Sequence, residues 1–194
     1  MADSDNSSSL GNRAAGDLRL IRSLMQRSAV IVPMPGWGLF TVGVIGSVTA
    51  VLTRDISGIG WLLRWFGAAG SATAVALLTS AVQSRKSGRS VLTGSYSRFW
   101  LGLLPAFFAA GILTLLLVRT NQEQWLPGLW LLLYGVGLLA AGSQCIRLIS
   151  WMGASFLILG AVALFLPWPN LMMGAGFGLT HMVFGLLITR VHHD

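Results

Sequence analysis

Apolar residues gather in six runs between Trp37 and Arg190, and polar residues gather between them. The runs cover about 36–53, 60–82, 99–118, 125–146, 149–166 and 171–190. Each approaches the roughly 20 residues a helix needs to cross the hydrocarbon of a bilayer. Helices satisfy their own backbone in lipid. The pattern therefore predicts an all-α fold: a polytopic membrane bundle of six transmembrane helices over residues 36–190. The links after runs one, three, four and five are short. The link after run two, QSRKSGRSVLTGSYSR at 83–98, is longer and basic.

Ahead of the bundle the pattern changes twice. Residues 1–16 are small and polar and are expected to be disordered. From Asp17, Leu18, Leu20, Ile21, Leu24 and Met25 fall on one half of a helical wheel. Arg19, Arg22, Ser23, Gln26 and Arg27 fill the other half. With Asp17 as N-cap, residues 17–32 predict a basic amphipathic helix lying in the membrane interface. Pro33 and Pro35 end it. The first 28 residues lack the apolar core of a signal peptide, so run one is expected to act as the insertion signal. Residues 191–194 form a short tail.

Composition agrees. Of 194 residues 54% are hydrophobic and only 10% charged, with mean hydropathy +0.72, against about 25% charged in soluble domains. Six spans with short links leave no room for a second domain. The 24 glycines suit helices packed closely in lipid. The net charge of +7 does not point to nucleic acid, because the basic residues flank the spans, where they orient helices and meet anionic lipid. One cysteine, Cys145, permits no internal disulfide.

Orientation follows from the basic residues. With the N-terminus in the cytoplasm, the inner segments hold Arg13, Arg19, Arg22, Arg27, Arg85, Lys86, Arg89, Arg98, Arg147 and Arg190, while Arg54, Arg64 and Arg119 lie toward the outside. Trp37, Trp100 and Trp151 fall near inner ends, and Trp61, Trp65, Trp125, Trp130 and Trp168 near outer ends. That distribution is expected of rings in the headgroup layer. Both termini are thus placed in the cytoplasm.

A weak internal repeat is visible. Pro35-Gly36-Trp37 and Pro127-Gly128-Leu129-Trp130 each precede a Gly-Val pair, at 43–44 and 135–136. Three helices per half would make the halves inverted, as in many transporters. The offsets between other matches drift, and a Gly/Ala/Leu/Val alphabet produces chance matches easily.

The carboxylates Asp3, Asp5, Asp17, Asp55, Glu123 and Asp194 all lie outside the runs. A proton relay or buried cation site needs an acid at mid-membrane, so carboxylate-driven transport and aspartyl intramembrane proteolysis are disfavoured. No His-Glu-x-x-His and no metal-ligand set appear, and no cofactor is expected. Arg64 would either hold an anion at an outward cavity or snorkel to the interface beside Trp61 and Trp65. Arg119 closes run three at the same side. His181, near the middle of run six, is expected to face the bundle, since an unpartnered polar group there is costly. It would handle a proton, ligate haem, or bond a neighbouring helix as a neutral imidazole.

Gly174-x-x-x-Gly178 with Gly185, and Gly67-x-x-x-Ser71, form small-residue stripes, joined by Gly153 and Gly160 in run five. They predict close helix packing or, alternatively, a homo-oligomer face. Gln144 and Arg147, with Arg85, Lys86 and Arg89, would shape a cytoplasmic docking surface or serve as plain anchors.

Gly153-Ala154-Ser155, followed by His181 and Gly185, resembles the Gly-x-Ser motif and last-helix histidine of the rhomboid serine proteases. That resemblance implies a Ser155–His181 dyad. Phe156 stands where those enzymes have glycine, the serine is one span late, and no His/Asn pair occurs in run two. Over nearly its whole length the chain also resembles a class of small bacterial six-helix membrane proteins. The shared residues are the Pro-Gly-Trp-Gly of 35–38, Leu-Pro-Gly-Leu-Trp-Leu-Leu-Leu-Tyr-Gly of 126–135, Met-Gly-Ala-x-Phe of 152–156 and Gly-Phe-Gly-Leu-x-His-x-x-Phe-Gly of 176–185. This resemblance implies fold and location but no activity. The expected role is therefore non-enzymatic: binding a cytoplasmic protein partner or small ligand, as a sensor or regulatory subunit. A small transporter or channel for an anion or neutral solute is the alternative, and a rhomboid-like protease a distant one.

Overall fold

The structure, a computed structural model, describes residues 35–86, 95–142 and 147–191, with side chains from 35–85, 99–142 and 147–191. The disordered and amphipathic N-terminal segments expected at 1–16 and 17–32, Arg89, Gln144, and the tail beyond Val191 lie outside the described residues.

Every apolar run is helical. In chain order they are α1 (Gly36–Leu52), α2 (Gly58–Lys86), α3 (Ser95–Arg119), α4 (Leu126–Gly142) and α5 (Arg147–Phe165). The last span is built from α6 (Pro169–Met173), a π-helical segment (Gly174–Thr180) and α7 (His181–Val191). Five of these six stretches are long and apolar enough to cross a membrane, while α1, at 17 residues, is shorter. The described residues contain no strand.

Helix α2 runs to Lys86, beyond the predicted 82. Helix α4 is described to Gly142, and its predicted end at 146 lies outside the described residues. Short links join α1 to α2, α3 to α4 and α5 to α6. They gather at one end of the bundle, called here the short-link end. At the first of them Gly58 takes φ +61°, a left-handed conformation suited to glycine. Thr114 Oγ1 bonds back to its own helix, to the Ala110 carbonyl at 2.7 Å.

Two glycine seams organise the packing. Helices α4 and α5 are antiparallel, with Gly128, Gly135 and Gly142 on one and Gly153 and Gly160 on the other, seven residues apart in each case. A Cβ on Gly135 would stand 2.9 Å from the Gly153 carbonyl oxygen. One on Gly160 would stand 2.7 Å from Leu132 N. The second seam joins α1 to the last span. A Cβ on Gly43 would stand 2.7 Å from the Gly178 carbonyl oxygen, and one on Gly185 the same distance from that of Gly36. Seven-residue spacing keeps the small residues on one seam of left-handed pairs.

The seams bear on the internal repeat. In an inverted 3+3 arrangement the matched glycines would face equivalent neighbours. Gly36 and Gly43 face the last span, whereas Gly128 and Gly135 face α5. The matching residues share a packing vocabulary and not an equivalent place.

Helix α1 also packs on α2, and α4 on α3. Among the described residues α2 and α3, the helices joined by the long basic link, share no extended contact.

A candidate ligand cleft around His181

The separation of α2 and α3 leaves a cleft of about 320 Å³. Its middle is walled by small residues: Ala68, Ala72 and Ala76 at four-residue spacing on α2, facing Ala106 and Ala110 on α3. Large rings stand at the ends. Trp65 and Phe66 of α2 and Trp130 of α4 occupy the short-link end, with Phe99 and Trp100 of α3 at the other. No Asp, Glu, Lys or Arg lines it.

His181 and Phe177 form part of the floor. The π-helical turn shapes this place. Its wider register lets Thr180 Oγ1 bond the Ala175 carbonyl, five residues back, at 2.9 Å, and such segments recur at functional sites. His181 is 1% exposed. Its Nε2 meets the Tyr134 hydroxyl at 3.0 Å. The ring lies nearly parallel to Phe177, at 17° and 6.1 Å, and edge-on to Phe156 at 5.2 Å. The carbonyls of Gly176 and Phe177 lie beside the imidazole, yet Nδ1 has no partner in hydrogen-bond geometry. Two indole groups on the same cleft, Trp65 Nε1 and Trp100 Nε1, are also buried without a partner. Trp130 differs: its Nε1 donates to Thr114 Oγ1 at 2.9 Å.

The short-link end has its own polar clasp. Asn170 accepts from Trp61 Nε1 and donates to the Thr53 carbonyl at 3.1 Å, tying α1, α2 and the last span together. The Arg54–Asp55 pair beside it, at 3.2 Å, is 75% and 82% exposed and adds little.

The residues singled out from sequence separate into groups. His181 is buried against a neighbouring helix. Arg64 and Arg119 are exposed on the bundle surface, and neither lines the cleft. Arg85 and Arg147 are exposed at the opposite end, and Lys86 is the last residue of α2. Gly153, Gly160, Gly178 and Gly185 sit in the two seams, and a Cβ on Gly174 would stand 3.0 Å from the Ala50 methyl. Gly67 and Ser71 do not pack within the chain. Both are exposed on α2, and a Cβ on Gly67 would meet nothing within 4 Å.

The structure bears on the rhomboid resemblance and on the reading of the tryptophans. Ser155 Oγ bonds the Trp151 carbonyl at 3.0 Å, and the partner of His181 is Tyr134, so no Ser155–His181 dyad is formed. Four tryptophans, Trp37, Trp125, Trp151 and Trp168, are exposed as headgroup anchors should be. Trp61 and Trp65 are instead 7% and 4% exposed, and Trp61 stacks on Trp130 at 5.6 Å. Their place near helix ends hid this, since sequence position gives depth and not the direction a ring faces. Tyr134, Trp65, Trp100 and Asn170 were missed as polar members of the core. The one sequence signal for Tyr134 was a hydroxyl placed inside an apolar run.

Among the described residues no group of three His, Cys, Asp or Glu side chains is positioned to hold a metal ion. No family model, curated protein or solved structure matches the chain.

Proposed function

We propose that the chain is a six-span protein of a bacterial cytoplasmic membrane, with both termini in the cytoplasm, and that it binds a small apolar ligand inside the membrane. The observation that carries the reading is the α2–α3 cleft, uncharged and built around the Tyr134–His181 pair. Pockets of this size with few polar groups are typical of small-molecule sites. Native mass spectrometry of protein extracted from its own membranes tests the reading. The wild type should carry a lipid-like adduct that an Ala72→Trp, Ala110→Trp variant lacks. A wild type without an adduct overturns it.

Ligand occupancy would be passed to a cytoplasmic protein through the exposed Arg85 and Arg147, with Lys86, Arg89 and Gln144, close to them in sequence, taking part. The protein would then be a sensor or regulatory subunit. A crosslinker placed at Arg89 should capture a soluble partner and lose it when the basic link is neutralised. Transport of a neutral solute through the cleft is the alternative. Handling of an anion is disfavoured because Arg64 and Arg119 face away from the cleft. Flux by the purified protein alone in proteoliposomes, lost in His181→Ala, would replace the sensor reading with transport.

The orientation has its own test. In a Cys145→Ala background, an impermeant thiol reagent on intact cells should label a cysteine placed at Gln122 and not one placed at Ser87. The reverse pattern overturns the topology. A peptide of residues 17–31 should fold as a helix on anionic vesicles and bind them more tightly than neutral ones, by about 1 kcal/mol per basic residue. Equal binding to both removes the electrostatic part.

A further inference from the structure

The proposed cleft carries more chemical detail than its size, and this inference rests on the reading of the cleft as a ligand site. Its lining has no charge, so an ionic headgroup would be desolvated there without a counter-ion. A plain hydrocarbon would also be a poor match. It would leave the indole N–H of Trp65 buried and unpartnered at the short-link end of the wall, a state that costs about 1–3 kcal/mol. The ligand therefore needs acceptor atoms without charge.

The walls also specify shape. Trp65 and His181 each stand 6.1 Å from Phe177, so an indole N–H, an imidazole and a phenyl ring gather on one part of the lining. Such a cluster of rings favours a planar conjugated group. From there the alanine stripe of α2 leads toward the end marked by Trp100. The 11 residues from Trp65 to Ala76 span about 17 Å of helix axis. That length of apolar, alanine-bearing wall suits a hydrocarbon chain.

We propose that the cleft binds a prenyl quinone: a neutral, planar, carbonyl-bearing head at Trp65, Phe177 and His181, with its isoprenoid tail along the alanine-bearing wall. A head carbonyl accepts from Trp65 Nε1. Only binding is inferred, with no electron transfer.

The full chain in phosphatidylcholine nanodiscs tests this by native mass spectrometry with three added probes: a short-chain prenyl quinone, dioleoylglycerol and squalene. The quinone should be retained at one per chain and squalene should not. Trp65→Phe should weaken quinone retention about threefold to tenfold, the loss of one hydrogen bond. Trp151→Phe, on an exposed ring away from the cleft, should leave it unchanged. If Trp65→Phe does not fold, the comparison of quinone with squalene on the wild type decides by itself. Squalene retained as well as the quinone overturns the acceptor requirement while leaving the cleft a ligand site. Dioleoylglycerol retained in preference to the quinone overturns the planar head. Retention of none of the three overturns both this inference and the cleft reading beneath it.

Discussion

Helices α4 and α5 and helices α2 and α3 each present small residues to one another, yet one pair is closed and the other open. In the closed pair, glycines at seven-residue spacing bring backbone against backbone, with Gly135 and Gly153 in mutual contact. In the open pair, alanines at four-residue spacing line a gap. Small residues permit close approach and do not compel it. In lipid no hydrophobic effect drives helices together, so packing and hydrogen bonds must. Between α2 and α3 the rings at the two ends interrupt the packing. The long basic link does not force the helices together either, whereas α4 and α5 are joined across residues 143–146. An apolar gap facing lipid has no water to expel, so it persists.

The largest effect should come from filling the closed seam. Gly160→Val places carbon where Leu132 N stands 2.7 Å away and the Gly128 carbonyl oxygen 3.0 Å away. Backbone cannot retreat cheaply, so the cost should reach about 3 kcal/mol. Gly67→Val, with nothing within 4 Å of the added Cβ, should stay within about 0.5 kcal/mol. Thermal unfolding in detergent, followed by size-exclusion profile, compares the two. Equal losses would mean that the seam is not what holds α4 to α5.

That pair of residues also shows how far the sequence could be read. Apolar run length placed the helices of the described residues, five of them long enough to cross a membrane and α1 shorter, because crossing lipid sets a length that composition cannot disguise. Stripe spacing found the seams at Gly153, Gly160, Gly178 and Gly185. It could not tell them from Gly67 and Ser71, because a stripe looks the same whether it faces a helix or lipid. The cleft was invisible, since it depends on how far apart two helices stand. His181 was legible as a polar residue facing inward, but its partner was not, because Tyr134 lies 47 residues away in the chain.

The polar clasps should cost less than the seam. Asn170→Ala removes two bonds joining three segments and should destabilise by about 2 kcal/mol, the range for stranding a buried donor. Neither Asn170 nor Trp61 lines the cleft, so quinone retention should stay intact in the folded fraction. Tyr134→Phe removes one bond, to His181, and should cost about 1 kcal/mol, as interhelical hydrogen bonds in membranes do. Because His181 lines the cleft, this change should also alter ligand retention. Loss of retention in Asn170→Ala with none in Tyr134→Phe would reverse the assignment of the two clasps.

The smallest effect on stability should come from filling the open pair. Ala72 lines the cleft, with Ala110 on the facing helix. In a packed core, alanine to phenylalanine forces neighbours off their rotamers at about 1–3 kcal/mol. Here the added ring enters space already present and gains dispersion contacts on both sides. Ala72→Phe should therefore change unfolding by less than about 0.5 kcal/mol, while sharply reducing retention of an added quinone. Stability and binding would separate in a single variant, as the contrast between seam and cleft requires. A loss near that of Gly160→Val would mean that α2 and α3 close upon each other in the membrane and that the gap is not a lasting feature of the bundle.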